Sequence, residues 1–195
     1  MLQDPLFKDD DEQIINESIT FFLAGTLTQA TTVANALCYM IEKPDIDRRV
    51  RESLAKNFTT FSDSKVELEK LADELTIESL DLNQDDYLKN VIYETLRIDT
   101  PVQLSTSFCV TEDTDIGGIN IKANDMMMTN IYKLHHLEDQ WGKDHNEFKP
   151  ERFEGRGKHN PMSFMPFLAG KRVCVGKTFA ENSIKVVIPL IMKAF

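Results

Sequence analysis

The chain has 195 residues, of which 42% are apolar and 28% are charged, and its formal net charge is -10. This length fits one domain with a hydrophobic core, and the composition is that of a folded globular protein rather than a disordered or fibrous one. The excess of acidic residues argues against a nucleic-acid partner, because proteins that bind a phosphate backbone concentrate lysine and arginine.

The N-terminal part of the chain is predicted to be one long helix. Apolar positions continue from residue 13 without a break until Pro44, which indicates a helix of about 28 to 32 residues ended by that proline. Residues 18–41 carry no charge, but threonines and other polar residues interrupt them. This pattern favours a buried, functional helix, so no membrane span is expected within the chain.

Two further helices are predicted before residue 100. Asp45 is expected to cap a helix in which Ile46, Val50 and Leu54 recur at helical spacing, and residues 61–86 are polar enough to form a surface segment. The next helix, "DDYLKNVIYETLR", has an inward stripe formed by Leu88, Val91, Ile92, Thr95 and Leu96.

Glu94 and Arg97 lie away from this stripe on the helical wheel. Taken by themselves, two such residues one turn apart are most simply interpreted as an exposed ion pair.

The C-terminal half changes character. Gly117 and Gly118 between β-prone runs predict a small hairpin, and Cys109 is expected on a strand that faces the core. Residues 135–174 are rich in proline, glycine, histidine and aromatics, an irregular composition that is usually either functional or disordered. The chain then returns to helix, with Pro189 as an expected kink.

The stretch "FLAGKRVCVG" carries a candidate ligand. Arg172 precedes Cys174 by two residues and a helix is expected just after it, so positive potential would favour a thiolate. Gly170 and Gly176 allow unusual backbone conformations or the close approach of something flat. From these residues alone, a ligand and a buried small apolar residue are both open. Cys38, Cys109 and Cys174 are widely spaced, which favours a reducing compartment over a disulfide framework.

This stretch resembles the Phe-x-x-Gly-x-Arg-x-Cys-x-Gly signature of the cytochrome P450 family, the haem-thiolate monooxygenases. The matching residues are Phe167, Gly170, Arg172, Cys174 and Gly176.

Three more motifs occur in the order of that family. "YETLR" resembles its Glu-x-x-Arg helix through Glu94 and Arg97, and "FKPERF" resembles its Pro-Glu-Arg-Phe segment through Arg152. "FLAGTLT" is similar to the oxygen-binding part of its long distal helix, with Gly25 and Thr28. The resemblance therefore covers essentially the whole chain.

The resemblance implies a mainly α fold with a small β-sheet, in which residues 1–195 form a single partial domain. This would be the C-terminal haem-binding part of the P450 fold, running from the distal long helix through the cysteine-ligand loop to the following helix. The N-terminal anchor, the helices and loops over the substrate and the last β-hairpin would be absent.

The resemblance also implies a site. Cys174 would be the axial ligand of haem b iron, Arg172 would pair with a haem propionate, and Phe167 would pack beside the sulfur. Glu94, Arg97 and Arg152 would form a network that holds the cysteine loop.

On the distal helix, the same resemblance implies that Gly25 lets the helix open locally where dioxygen binds. Thr28 would then hydrogen-bond the bound oxygen or its water. His135 resembles the structural histidine of the family, whereas His136, His145 and His159 are expected at the surface.

The implied reaction inserts one oxygen atom from O2 into an apolar organic substrate, whose identity stays open. Electrons would come from an NADPH-cytochrome reductase or a ferredoxin-type donor, docked on a basic patch. Its candidates are Lys143, Lys149, Lys158, Lys171 and Lys177. The protein would lie on the cytoplasmic side of the membrane, at the endoplasmic reticulum if the complete protein carries an anchor.

Two departures keep other functions open. Leu27 stands where the family has an acid before the threonine, and residues 105–110 contain no arginine for a propionate. An incomplete proton relay is compatible with a truncated, non-catalytic remnant that binds haem weakly or not at all. It is equally compatible with a peroxide-using or rearranging haem-thiolate enzyme, because neither needs that relay.

Overall fold

The computed structural model describes residues 10–63, 67–81, 87–155 and 160–195. These residues are mainly helical, with two small antiparallel sheets, and the predicted fold class is confirmed. Lys158, His159 and parts of the predicted surface segment 61–86 lie outside the described residues.

The first helix, α1, spans Asp11–Glu42 and has 32 residues, which is the predicted length. The expectation that this helix is buried is wrong for most of its length: its buried residues are Thr32, Ala36 and Met40, and Phe22 and Leu27 are 69% and 73% exposed. Asp10 caps it by accepting a hydrogen bond from the Gln13 N–H at 2.9 Å. The second helix, α2, spans Pro44–Asn57. The prediction that Asp45 caps it is wrong: Lys43 is the capping residue, and Pro44 occupies the first turn, where its missing N–H costs nothing.

The core lies where α1, α2, α6 (Tyr87–Ile98) and the C-terminal helix meet. Three short helices connect them: α3 (Thr59–Ser62), α4 (Leu68–Glu74) and α5 (Ile77–Asp81). The predicted apolar stripes of α2 and α6 are confirmed, because all of their members are buried.

The strands form two short antiparallel ribbons. Strand β1 (Phe108–Cys109) pairs with β4 (Met126–Met127), and β2 (Thr114–Ile116) pairs with β3 (Ile119–Ile121). Gly117 and Gly118 join β2 to β3 with φ of 61° and 86°, so the predicted hairpin is confirmed. The expectation that Cys109 faces the core is wrong. Its side chain is exposed, because β1 is two residues long and lies at the surface.

The predicted irregular segment is a series of short turns, of which Pro150–Phe153 packs against α6. It follows α7 (Ile131–His135) and contains α8 (Glu138–Trp141) and the 3-10 turns Pro150–Phe153, Pro161–Ser163 and Gly170–Arg172. The closing helix, α9 (Lys177–Ala194), continues through Pro189. In the described part of the chain, no helix combines the length and the apolar character that a membrane crossing needs.

Candidate functional site

The Cys174 loop (residues 167–176) is held by its own backbone. The Cys174 N–H donates to the Phe167 carbonyl at 2.8 Å, and the Val173 N–H donates to the Gly170 carbonyl at 3.2 Å. Helix α9 begins at Lys177, directly after Gly176. The exposed thiol of Cys174 therefore lies beside a helix N-terminus, as predicted, and the partial positive charge of that terminus favours a thiolate.

The two glycines of the loop are required for different physical reasons. Gly170 has φ of 71°, and apart from its two chain neighbours no described residue has an atom within 4 Å of the place a Cβ would take, so its backbone conformation is what requires glycine. Gly176 has φ of -84°, which any residue adopts. A Cβ at position 176 would instead lie 3.9 Å from the Cys174 sulfur. Gly176 thus keeps the space beside the sulfur free of a side chain.

The surface around the thiol is cationic and apolar. Arg172 is exposed and forms no ion pair with any described residue. Val175 is 83% exposed and Phe179 is 71% exposed, while Phe167 is half-buried against the core. A free thiol can bind a metal, an accessible guanidinium can pair with a carboxylate, and exposed apolar side chains can cover an apolar ligand.

A second group of site residues lies in the protein interior. The exposed-pair interpretation of Glu94 and Arg97 is wrong: both are 0% exposed, because the segment around Pro150–Phe153 covers that side of α6. Arg97 binds the Glu94 carboxylate through Nε at 2.7 Å and Nη2 at 2.8 Å. Its other donors reach the carbonyls of His135, His145 and Glu147 at 2.9, 2.7 and 3.2 Å.

Arg152 shares the same carboxylate. Its Nε lies 3.3 Å from Glu94 Oε1, and its Nη1 donates to the Trp141 carbonyl at 2.9 Å. The Lys149 N–H also donates to Glu94 Oε1, at 2.8 Å. These charge-assisted bonds satisfy a charge that would be very costly to bury unpaired. Glu94, Arg97 and Arg152 are called the Glu94 network below.

Asp144 joins this network from its edge. Its carboxylate accepts a hydrogen bond from Lys149 Nζ at 2.6 Å and one from Arg152 Nη1 at 2.9 Å. Lys149 and then Arg152 hold the pKa of Asp144 well below its ordinary value. Lys149 also pairs with Glu147 at 3.2 Å, so its charge is neutralised within the predicted basic patch.

The distal-helix residues lie on an unbroken part of α1. The helix is closed at Gly25, and the Thr28 hydroxyl donates to the Ala24 carbonyl of its own helix at 2.7 Å. Leu27 is 73% exposed. Gln29 Oε1 accepts a hydrogen bond from the Ser183 hydroxyl of α9. The local opening expected at Gly25 is therefore absent from this described helix.

Comparison with known proteins gives the family. The sequence model described as Cytochrome P450 matches residues 4–195. The chain belongs to the cytochrome P450 family. The resemblance drawn from the four motifs is thereby confirmed.

Curated members of the cytochrome P450 family match along nearly the whole chain. Cytochrome P450 94C1 of Arabidopsis thaliana is 30% identical over 192 residues, covering 96% of this chain and 37% of the relative. Cytochrome P450 52A6 of Candida tropicalis is 32% identical, covering 95% and 36%. The Bifunctional cytochrome P450/NADPH--P450 reductase 1 of Bacillus subtilis (strain 168) is 31% identical, covering 96% and 16%. The chain spans little more than a third of the length of these relatives, or less.

The structure places the P450 motif residues in three groups. The five residues of the signature share the Cys174 loop, and Glu94, Arg97 and Arg152 are joined by direct bonds. Gly25 and Thr28 form the third group, and no hydrogen bond or ion pair between described residues joins either residue to the loop. Sequence reasoning missed Asp144. Its only signal was an acid close to "FKPERF" in an irregular segment, where no periodicity indicates which side chains meet.

Proposed function

We propose that this chain is the haem-binding part of a cytochrome P450 monooxygenase, with Cys174 as the axial ligand of haem b iron. The observation that carries the proposal is the exposed thiol on a backbone-closed loop at a helix N-terminus, beside an exposed arginine. These residues fit the group: a thiolate binds iron, a guanidinium binds carboxylates, and apolar side chains cover a flat ring.

Each residue of the Cys174 loop has a proposed task. Cys174 would bind the iron, and Arg172 would pair with a propionate of the haem. Gly176 leaves room beside the sulfur, because a side chain there would contact it at 3.9 Å. Phe167 fixes Cys174 through its carbonyl, and its ring would supply apolar cover. The proposed task of the Glu94 network is to keep the loop in place.

Bound haem with a thiolate ligand supplies the activation of O2 and the transfer of one oxygen atom to an apolar organic substrate. The proposed role of Thr28 is to donate a hydrogen bond from its Oγ1 hydroxyl to the bound oxygen or its water. That hydroxyl donates to Ala24, so it must exchange this bond to take part.

The proposed electron donor is an NADPH-cytochrome reductase or a ferredoxin-type protein. The Bacillus subtilis relative is named as a bifunctional cytochrome P450 and NADPH--P450 reductase, which supports a reductase as the donor. Lys143, Lys171 and Lys177 are exposed and could form the basic docking patch. The proposed location is the cytoplasmic side of the membrane, at the endoplasmic reticulum if the complete protein is anchored there.

The test is an absorption spectrum of the 195-residue chain with added haem, reduced under carbon monoxide. The red-shifted Soret band of a thiolate-bound complex is expected for the wild-type chain and for Cys109→Ala, a control that removes another exposed free thiol. Cys174→Ala should lose the band. A folded wild-type chain with no shifted band would overturn the proposal and favour the non-binding remnant.

One observation favours a second candidate, a peroxide-using or rearranging enzyme. Next to Thr28, the acid is replaced by Leu27 and the Gln29 side chain is engaged by Ser183, so the usual proton relay is incomplete. Turnover with hydrogen peroxide but without a reductase would support this candidate. Turnover that requires a reductase and O2 would exclude it.

A further inference from the structure

We propose that His135 is a positioning residue for the Cys174 loop, because it ties the segment that leads into the loop to the Glu94 network. The proposal rests on the proposed function, since it concerns how the thiolate is presented. The resemblance implies only a structural histidine at this position; the proposal gives its ring a specific acceptor and a specific task.

His135 makes two hydrogen bonds, one through its backbone carbonyl to the Glu94 network and one through its ring to the segment before the Cys174 loop. Its backbone carbonyl, at the end of α7, accepts a hydrogen bond from Arg97 Nη1 at 2.9 Å. Its ring Nε2 accepts the N–H of Met165 at 3.0 Å. One residue thus contacts both the buried guanidinium and a backbone amide 30 positions further along the chain.

Met165 is two positions before the loop. Its carbonyl accepts the Leu168 N–H at 3.1 Å, which closes the turn that contains Phe167. The Phe167 carbonyl in turn accepts the Cys174 N–H at 2.8 Å. A short series of backbone bonds therefore runs from the His135 ring to the amide of Cys174.

The bond to Met165 determines which nitrogen of the ring carries the proton. A backbone N–H only donates, so Nε2 must be unprotonated and the neutral ring must carry its proton on Nδ1. Nδ1 is buried, on the side of the ring away from this bond. The ring lies against Phe164, at 5.4 Å between ring centroids. An apolar side chain would fill the same space but could not accept the Met165 N–H, so filling space is not what requires a histidine here.

The surroundings keep the ring neutral. His135 is 0% exposed, and burial lowers its pKa to about 4. The charged and titratable groups that act on it are the Arg97 guanidinium and the His136 ring, both of which disfavour a second positive charge. Near neutral pH, Nε2 is therefore available as an acceptor for the Met165 amide.

The first experiment measures this bond without haem. Amide exchange at Met165 is followed by NMR in the wild-type chain and in His135→Leu, which removes the acceptor, and in His135→Gln, whose amide oxygen can replace Nε2. The matched control is His136→Leu, because that ring contacts the Tyr132 carbonyl of its own turn. Losing the acceptor should speed Met165 exchange about tenfold or more, and glutamine should restore most of the protection.

The second experiment measures positioning. In the haem-reconstituted, reduced chain under carbon monoxide, His135→Leu should lower the fraction of haem that shows the red-shifted thiolate band about twofold or more. His135→Gln and His136→Leu should keep that fraction. A wild-type chain with no such band would refute the proposed function itself, whereas an unchanged band in His135→Leu would refute only the role of His135.

A third measurement needs no substitution, in case His135→Leu does not fold. The nitrogen shifts of His135 in the wild-type chain report which ring nitrogen is protonated. A proton on Nδ1 and a bare Nε2 are expected. A proton on Nε2 would overturn the proposal, because the ring could then not accept the Met165 N–H.

Discussion

The Cys174 loop and the Glu94 network satisfy opposite requirements. The loop exposes its thiol and its arginine and is shaped by backbone hydrogen bonds and one left-handed glycine. The network buries two guanidiniums around one carboxylate and meets their charges with direct bonds. The group proposed to bind a ligand has to stay accessible, whereas the groups proposed to fix its position are shielded and bonded directly to one another. Substitutions in the two regions should therefore separate stability from ligand binding.

The largest effect on stability is expected for Glu94→Gln. It removes the charge that compensates two buried guanidiniums, which should lower the free energy of unfolding by about 3 to 5 kcal/mol. Urea unfolding followed by circular dichroism measures the change. The matched control is Glu52→Gln, which breaks an exposed pair with Arg48 at 3.0 Å and should cost less than about 1 kcal/mol. Similar losses of unfolding free energy in both variants would show that the buried network contributes no more to stability than an exposed ion pair.

The next largest effect is the loss of stability at acid pH that comes from His135, which connects the two regions. His135 has a pKa of about 4 in the folded chain and about 6.5 when unfolded, so the unfolded state binds its proton first as the pH falls. The stability that neutral His135 contributes is complete above about pH 6.5 and is lost between about pH 6.5 and about pH 4, with a total of about 3 kcal/mol.

Urea unfolding at a series of pH values tests this, with His135→Gln as the control that cannot titrate. The control should lose most of the pH dependence in that window. The remainder belongs to groups such as His136, whose pKa burial also lowers. Equal pH dependence in the wild-type chain and in His135→Gln would contradict the assignment.

A smaller effect distinguishes the two glycines of the loop. Gly170→Ala places a side chain at φ of 71° and should lower the free energy of unfolding by about 1 kcal/mol. Gly176→Ala is unstrained, because φ is -84° there, but its methyl group would contact the sulfur. We expect Gly176→Ala to lower the fraction of thiolate-bound haem more than Gly170→Ala does. If Gly176→Ala lost more stability and Gly170→Ala lost more thiolate-bound haem, the separate reasons given for the two positions would be refuted.

How far the sequence predicts this molecule depends on whether a contact is local. The long helix, the stripe of Leu88, Val91 and Ile92 and the Gly117–Gly118 hairpin follow from periodicity and turn chemistry within a few residues. The motif match correctly indicated the family. The helical wheel misplaced Glu94 and Arg97, because a wheel shows which face is apolar and does not show that residues 141–153 cover the other face.

The bonds of the irregular segment had little sequence signal. Asp144 meets Arg152 8 positions further on, and His135 meets Met165 30 positions further on, because non-periodic turns fold against one another. Capping failed for a local reason instead: Asp45 was the better capping residue by type, but Pro44 is suited to the first turn and moves the cap to Lys43.

The smallest effect on stability is expected for Arg172→Gln. Arg172 is exposed and forms no ion pair with described residues, so the free energy of unfolding should change by less than about 0.5 kcal/mol. If it pairs with a propionate, haem affinity should nevertheless fall about tenfold, because a charge-assisted bond is lost. Haem titration followed by absorbance measures the affinity. Lys171→Gln removes a neighbouring exposed charge and should leave the affinity nearly unchanged. Equal losses in both variants would indicate general electrostatic attraction rather than a specific contact of the guanidinium.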